Sequence, residues 1–126
     1  MLKSVNPANG QTVAEYEEDS DAAVDQAIAD AHAAYKLWSK SDYSERTALL
    51  AKLADLYEAK AEEGGRIIAT EMGKTFASAT AEVKKCASGF RYYAENGPDL
   101  LKSMQFPMAS GGMATAEWHP LGIVLS

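Results

Sequence analysis

One periodic stretch constrains the fold of this chain more than any other. Small and apolar residues recur along it at intervals of three and four: Phe76, Ala79, Thr80, Val83, Cys86, Ala87, Phe90, Tyr93 and Ala94. Such intervals place side chains on one face of an α-helix, and this series lasts for about five turns. The pattern predicts a helix over residues 75–96, which Gly97-Pro98 ends. We expect Cys86 to be buried on its apolar face.

Three further helices are predicted before this one. The first covers residues 21–40 and the second covers residues 45–62, and each repeats apolar residues at helical intervals. Gly64-Gly65 follows the second helix, and each glycine costs about 1 kcal/mol in a helix interior. We therefore expect this pair to break the chain before a short third helix over residues 66–72.

Short extended segments are expected at both ends of the chain. Residues 1–18 contain two turn dipeptides and predict a β-hairpin. Residues 103–112 have the composition of a loop, whereas residues 114–119 alternate as a strand does. Residues 123–125 begin an apolar run that is typical of a strand buried in a parallel sheet. The predicted class is mostly α: four amphipathic helices with an N-terminal β-hairpin and a C-terminal strand.

Composition excludes several classes of function. The chain has 126 residues, so it forms one domain or a piece of one. Its net charge of −6 argues against nucleic acid and against anionic membrane surfaces as partners. Its apolar runs are shorter than the roughly 20 residues of a membrane span. A single cysteine forms no internal disulfide, which fits a reducing cytoplasm.

Five motifs, in order along the chain, carry a resemblance to a known family. They are Val5-Asn-Pro-Ala-Asn-Gly10, Glu71-Met-Gly-Lys74, Ala81-Glu-Val-Lys-Lys-Cys-Ala87, Arg91-Tyr-Tyr-Ala-Glu95 and Trp118-His-Pro-Leu-Gly-Ile-Val-Leu125. Together they resemble the N-terminal helical region of the NAD(P)-dependent aldehyde dehydrogenase superfamily. Within that superfamily they are most similar to the succinate-semialdehyde dehydrogenase branch.

The resemblance implies that residues 1–126 are a single incomplete domain, an N-terminal piece of the α/β aldehyde dehydrogenase fold. Residues 1–18 would be the hairpin and residues 19–102 the helical region. Residues 113–126 would hold an oligomerisation-type strand and the start of the first strand of a missing cofactor domain. The parent enzyme would oxidise an aldehyde, such as succinate semialdehyde, to the acid with NAD or NADP. This fragment is expected to be inactive, to bind no cofactor, and to associate with itself or with the remainder of the dehydrogenase.

The family's chemistry requires a cysteine nucleophile, a glutamate that activates water and an oxyanion-binding asparagine. The resemblance places all three beyond Ser126, the asparagine in a Pro-Trp-Asn loop. Cys86 belongs to a different, helical motif, so we predict no catalytic residue in this chain. Glu71 and Glu82 are interpreted as surface charges of helices, and His32 as a packed or half-exposed residue beside the apolar face of the first helix.

One binding role follows from the resemblance by position. Many aldehyde dehydrogenases hold a structural monovalent cation near the junction of their domains. Its ligands would match backbone oxygen at Ser4-Val5 and the carboxylate of Asp99. Val5 and Asp99 are therefore a predicted half of a cation site, whose other half would lie outside this chain. The alternative interpretation is that Asp99 is a solvated residue after Gly-Pro.

A second interpretation belongs to a different functional class. The same periodicity is compatible with a free-standing helical module that binds another protein, because a periodic pattern identifies an apolar face without identifying what covers it. An unpaired apolar strand at residues 123–125 argues against this interpretation, since an exposed edge invites pairing with another chain.

Overall fold

The computed structural model describes residues 1–125. Its elements in chain order are β1 (Leu2–Val5), β2 (Thr12–Tyr16), α1 (Asp21–Trp38), α2 (Tyr43–Ala59), α3 (Ala61–Met72), α4 (Phe76–Leu100), β3 (Met104–Pro107) and β4 (Met113–Ala116). The predicted class is confirmed: four helices follow an N-terminal hairpin, and a strand lies near the C-terminus.

Two helices begin where a side chain caps them. The hydroxyl of Ser20 accepts a hydrogen bond from the backbone N–H of Ala23 at 3.3 Å, at the start of α1. Thr75 caps α4 in the same way, because its hydroxyl accepts from the N–H of Ser78 at 3.4 Å. Gly73 ends α3 in the left-handed conformation, with φ of 70°. A Cβ atom at Gly73 would lie 2.9 Å from Cγ of Pro7, so the N-terminal turn rests against this corner.

The packed unit of the molecule consists of α2, α3 and α4. Helix α4 lies against both of the other helices, whereas α1 has no buried residue. The buried apolar residues are Ala54 on α2, Ala61 on α3, and Ala79, Val83 and Ala87 on α4. Within residues 1–125 the core thus contains no side chain larger than valine. Small side chains let helix backbones approach closely. This core is therefore a close contact between helix backbones, without large side chains packed between them.

The prediction that Gly64-Gly65 breaks a helix is wrong. Both glycines lie inside α3, and the break comes earlier, at Lys60. The reason is tertiary: α3 crosses α4 at these two positions. A Cβ on Gly65 would lie 2.3 Å from the hydroxyl oxygen of Thr80, and one on Gly64 would lie 3.0 Å from Cγ2 of Val83. The close approach of the helices offsets the weak helix propensity of glycine.

The predicted end of the long helix is also wrong, because α4 continues through Gly97-Pro98 to Leu100. Proline removes one backbone hydrogen bond and its ring crowds the carbonyl of the residue four positions earlier, but Pro98 lies near the end of α4, where few later residues depend on regular geometry. The residues after it still close their bonds: the N–H of Leu101 donates to the carbonyl oxygen of Gly97 at 3.1 Å. Asp99 therefore lies in the last turn of α4.

Two separate antiparallel hairpins flank the helices. In the first, Leu2 pairs with Tyr16, and the register shifts at a bulge between Ser4 and Val5. This hairpin confirms the one predicted over residues 1–18.

The second hairpin is a correction, because residues 103–112 were expected to be a loop. Met104 pairs with Ala116 and Pro107 pairs with Met113 across β3 and β4. Gly111 and Gly112 make the connecting turn with φ of 84° and 95°, a region that favours glycine. Both strands of a two-stranded sheet are edge strands, and a proline is tolerated at the end of such a strand because its missing N–H interrupts no hydrogen bond within the ladder. Residues with the composition of a loop therefore still form β3.

The C-terminal strand is shorter than the alternation suggested, since β4 ends at Ala116. Residues 121–125 have no regular secondary structure, and Leu121, Val124 and Leu125 are exposed. A strand forms only beside a partner that completes its hydrogen bonds. The prediction that residues 123–125 begin a strand of a further domain therefore stays a prediction.

Candidate functional site

One concave surface is an apolar groove on the packed unit, which we call the α2–α3 groove. Its volume is about 530 Å³, and its lining is mainly aliphatic and aromatic: Leu53, Leu56, Tyr57, Lys60, Glu63, Gly64, Ile67, Ile68 and Val83. Leu56 on α2 and Ile67 on α3 are each 55% exposed, although both side chains are large and apolar. Only Lys60 and Glu63 contribute charge, and they pair with each other at 3.2 Å.

The local sequence explains why the groove is open. Lys60 separates α2 from α3, so the two helices meet in a corner instead of running as one. Gly64 has no side chain, so α3 approaches Val83 of α4 closely. Gly64 and Val83 both line the groove, and no side chain of residue 64 fills it. Tyr57 lines the groove and packs edge-on against Phe90, with ring centres 5.1 Å apart. The result is a preformed apolar surface with few polar groups.

Helix α1 carries a second exposed apolar surface. Val24, Ile28 and Trp38 are about half exposed, and none of its residues is buried. Its contact with the end of the chain includes a hydrogen bond in which the hydroxyl of Tyr35 donates to the carbonyl oxygen of Pro120 at 3.3 Å. His32 is exposed, and its ring stacks beside that of Tyr35 with ring centres 6.4 Å apart, so it is not packed into a core.

Arg46 holds the corner between α1 and α2. Its guanidinium donates to the carbonyl oxygens of Trp38 and Ser41 at 3.0 and 2.9 Å, and to the hydroxyl of Ser41 at 2.9 Å. The same group lies 5.9 Å from the ring centre of Trp38 and 5.5 Å from that of Tyr43. Sequence reasoning missed this cluster. An arginine flanked by a tryptophan and a tyrosine at a helix junction was the available signal.

Two ion-pair groups connect elements of the packed unit. Arg91 of α4 donates to the carboxylates of Asp55 and Glu58 on α2 at 3.0 and 2.9 Å. The hydrogen bonds to Asp55 and then to Glu58 raise the pKa of Arg91 further above its ordinary value. Lys74, between α3 and α4, pairs with Glu82. The hydrogen bond from Lys74 and its charge lower the pKa of Glu82. Glu82 is therefore a paired surface charge, as predicted.

Cys86 is exposed, so the expectation that it is buried is wrong. The packed face of α4 is centred on Ala79, Val83 and Ala87, which are spaced four residues apart. Cys86 precedes Ala87 by one residue and is rotated from it by about 100° around the helix. It lines a second cavity of about 530 Å³ on the flank of α4, together with Lys74, Ser78, Ala81, Glu82 and Lys85.

The two glycine pairs of the chain do not form a phosphate cradle for a dinucleotide. A phosphate cradle requires a glycine-rich turn between a strand and a helix. Gly64-Gly65 lies inside α3 against α4, and Gly111-Gly112 lies in the turn that joins β3 to β4. Neither pair precedes a helix N-terminus.

The predicted cation half-site lies on two different elements. Val5 is the last residue of β1 and pairs with Thr12. Asp99 is in the last turn of α4, where its carboxylate contacts the amino group of Lys102 at 2.5 Å. In the described part of the chain no group of three or more His, Cys, Asp and Glu residues could hold a metal ion. The role of Val5 and Asp99 stays a prediction.

None of the helices in residues 1–125 has the length and apolar character needed to cross a membrane.

The comparisons with known proteins concern the whole chain. A family model described as the aldehyde dehydrogenase family matches residues 1–126. The chain is 39% identical over 127 residues to succinate-semialdehyde dehydrogenase [NADP(+)] 1 of Mycobacterium tuberculosis, and the match covers 99% of this chain and 28% of that protein. It is 41% identical over 128 residues to succinate-semialdehyde dehydrogenase [NADP(+)] of Mycobacterium avium, covering 99% and 27%. The chain thus spans about a quarter of the length of these curated relatives.

Two solved structures extend the comparison to the fold. Succinic semialdehyde dehydrogenase from Streptococcus pyogenes, in complex with NADP+, superposes with a TM-score of 0.85 at 28% identity, over 91% of this chain and 25% of that one. NADP-dependent glyceraldehyde-3-phosphate dehydrogenase from Bacillus halodurans superposes with a TM-score of 0.86 at 30% identity, over 96% and 26%. The helices and hairpins described above therefore have the arrangement found in these enzymes.

Proposed function

The chain belongs to the aldehyde dehydrogenase family, and we propose that it forms the N-terminal portion of an NAD(P)-dependent enzyme that oxidises an aldehyde to the acid. The names of the relatives support NADP as the cofactor and succinate semialdehyde as the substrate of that whole enzyme. We place the enzyme in the cytoplasm. The contribution of residues 1–126 is structural: they provide apolar surfaces that the remainder of the enzyme covers.

The observation that carries this proposal is the contrast between the core and the surface. Within residues 1–125 the buried side chains are four alanines and one valine, whereas Leu56, Ile67 and Trp38 are about half exposed. Soluble monomers rarely leave extended apolar patches uncovered, and such patches mark contacts with other protein surfaces. The α2–α3 groove is apolar, open and nearly free of charge, which suits a permanent contact within one folded enzyme.

The chain's own residues take no part in the chemical steps of this proposal. Cys86 is exposed on the flank of α4, and the helical motif that contains it differs from the one that carries the family's cysteine nucleophile. Glu82 is paired with Lys74, which lowers its pKa and makes it a weak base for activating water. NAD(P) would accept hydride in the part of the enzyme that lies beyond these residues.

We also propose that the β3–β4 hairpin contributes to assembly of the enzyme. All eight strand residues are exposed, Phe106 and Met113 among them. A two-stranded sheet has two free edges, and free edges with apolar side chains favour pairing with another chain. A second copy of the enzyme is the partner that this hairpin fits.

The reading frame beyond the codon for Ser126, together with the intact mass of the native protein, tests the proposal directly. A frame that continues into a Pro-Trp-Asn segment and a later cysteine motif supports the dehydrogenase. A stop codon at that point with a mass near 13.5 kDa contradicts it, and would favour the free-standing interaction module.

A matched substitution tests whether the groove is covered. Ile67→Asp should leave the unfolding free energy of residues 1–126 alone within about 0.5 kcal/mol, because Ile67 is half exposed there. In the full-length protein the same change should lower the yield of assembled, active enzyme, since a carboxylate would be buried without a partner. Lys52→Asp, on the exposed side of α2, is the control. Equal tolerance of both substitutions in the full-length protein would contradict a covered groove.

A calorimetric titration of residues 1–126 with NADP tests whether this part of the enzyme binds the cofactor. We expect no binding in the micromolar range, because the glycine pairs do not fit a dinucleotide cradle. The isolated chain should also self-associate in size-exclusion chromatography with light scattering, through its exposed apolar surfaces. Micromolar NADP affinity, or a monodisperse and fully folded monomer, would contradict the structural role.

A further inference from the structure

We draw no further inference here: the strongest candidate outside the surfaces already assigned, the cavity on the flank of α4 lined by Lys74, Lys85 and Cys86, carries nothing because its one distinctive group is a lone cysteine and no second observation in residues 1–125 points to a ligand.

Discussion

The packed unit of α2, α3 and α4 and the β3–β4 hairpin use apolar residues in opposite ways. In the packed unit the buried positions are small, such as Ala54, Ala79 and Ala87, and the backbones of the helices lie close together. In the hairpin large apolar side chains such as Met104, Phe106 and Met113 are present, yet all of its strand residues are exposed. Apolar character therefore does not decide burial within this chain. Burial follows from close backbone approach, which small side chains permit.

The energetic consequence differs between the two regions. Burial of a CH₂ or CH₃ group contributes about 0.8 kcal/mol, so each buried alanine adds little by itself. The packed unit depends instead on many weak contacts that are lost together when the helices separate. The hairpin has few such contacts to lose. The following substitutions compare the two regions, beginning with the largest expected effect.

Gly65→Ala is expected to destabilise the packed unit most. The new Cβ would lie 2.3 Å from the hydroxyl of Thr80, and 3.0 and 3.1 Å from the backbone N and Cα of that residue, so α3 and α4 must separate. Overpacking of this kind costs about 1–3 kcal/mol. The measurement is the urea dependence of the helical circular dichroism signal.

Gly89→Ala is the matched control for Gly65→Ala. Gly89 lies on α4, in the same packed unit, and a Cβ there would meet no atom within 4 Å. It should stabilise the chain by about 0.5–1 kcal/mol through helix propensity alone. Thr80→Ala in the Gly65→Ala background should restore part of the loss, since it removes the nearest atom but not the backbone contacts. Equal shifts for the two glycine substitutions would contradict a close crossing of α3 and α4.

Two neighbouring positions on α4 sharpen the contrast between its packed and exposed faces. Ala87→Ser places a hydroxyl in a fully buried site and should cost about 1–2 kcal/mol. Cys86→Ser, one residue earlier and exposed, should change the unfolding free energy by less than about 0.5 kcal/mol. In the native chain Cys86 should react with a thiol reagent without denaturant. A thiol that reacts only after unfolding would place Cys86 on the packed face instead.

Arg46→Lys tests the corner that attaches α1 to the packed unit. Lysine cannot reproduce the several hydrogen bonds of the guanidinium to Trp38 and Ser41, so a loss of about 1 kcal/mol is expected. Hydrogen exchange should quicken in α1 more than in α4. Arg66→Lys is the control, because Arg66 contacts only the exposed Glu62 at 3.6 Å and the ring of Phe76. Equal effects of the two substitutions would argue that Arg46 has no special role.

The Lys74–Glu82 pair gives a smaller effect that depends on pH. Lys74 lowers the pKa of Glu82 in the folded chain below its ordinary value of 4.5. The stability that this pair adds is therefore present above about pH 4.5 and is lost as the pH falls through the lowered folded-state pKa. In the Lys74→Met variant the urea midpoint of unfolding should fall less on acidification than in the native chain. In the Lys84→Met variant it should fall as much as in the native chain. Identical pH profiles for both variants would mean that the pair contributes nothing.

Phe106→Thr in β3 should have the smallest effect on the isolated chain. Phe106 is half exposed, and threonine keeps the β propensity of the position, so a change within about 0.5 kcal/mol is expected. Thermal unfolding measures it. A loss as large as that of Gly65→Ala would show that the hairpin belongs to the same cooperative unit as the helices.

The fold class and the family could be predicted from the sequence because both depend on patterns that extend over only a few residues. The helical spacing along α4 and the turn of the N-terminal hairpin act over a few residues, so each can be read directly. The family motifs could be recognised for the same reason. The α2–α3 groove could not, because its position depends on how close α3 lies to Val83.

The sequence by itself determined that α4 has one apolar face, that four helices form, and that a hairpin begins the chain. Tertiary structure alone decided that Gly64-Gly65 continues a helix, that Cys86 lies outside the packed face, and that the core contains only small side chains. Periodicity specifies a direction around a helix, but only a neighbouring backbone decides which residues along that direction are covered. Here that neighbour is α4 crossing α3, where Thr80 meets a position that only glycine fits.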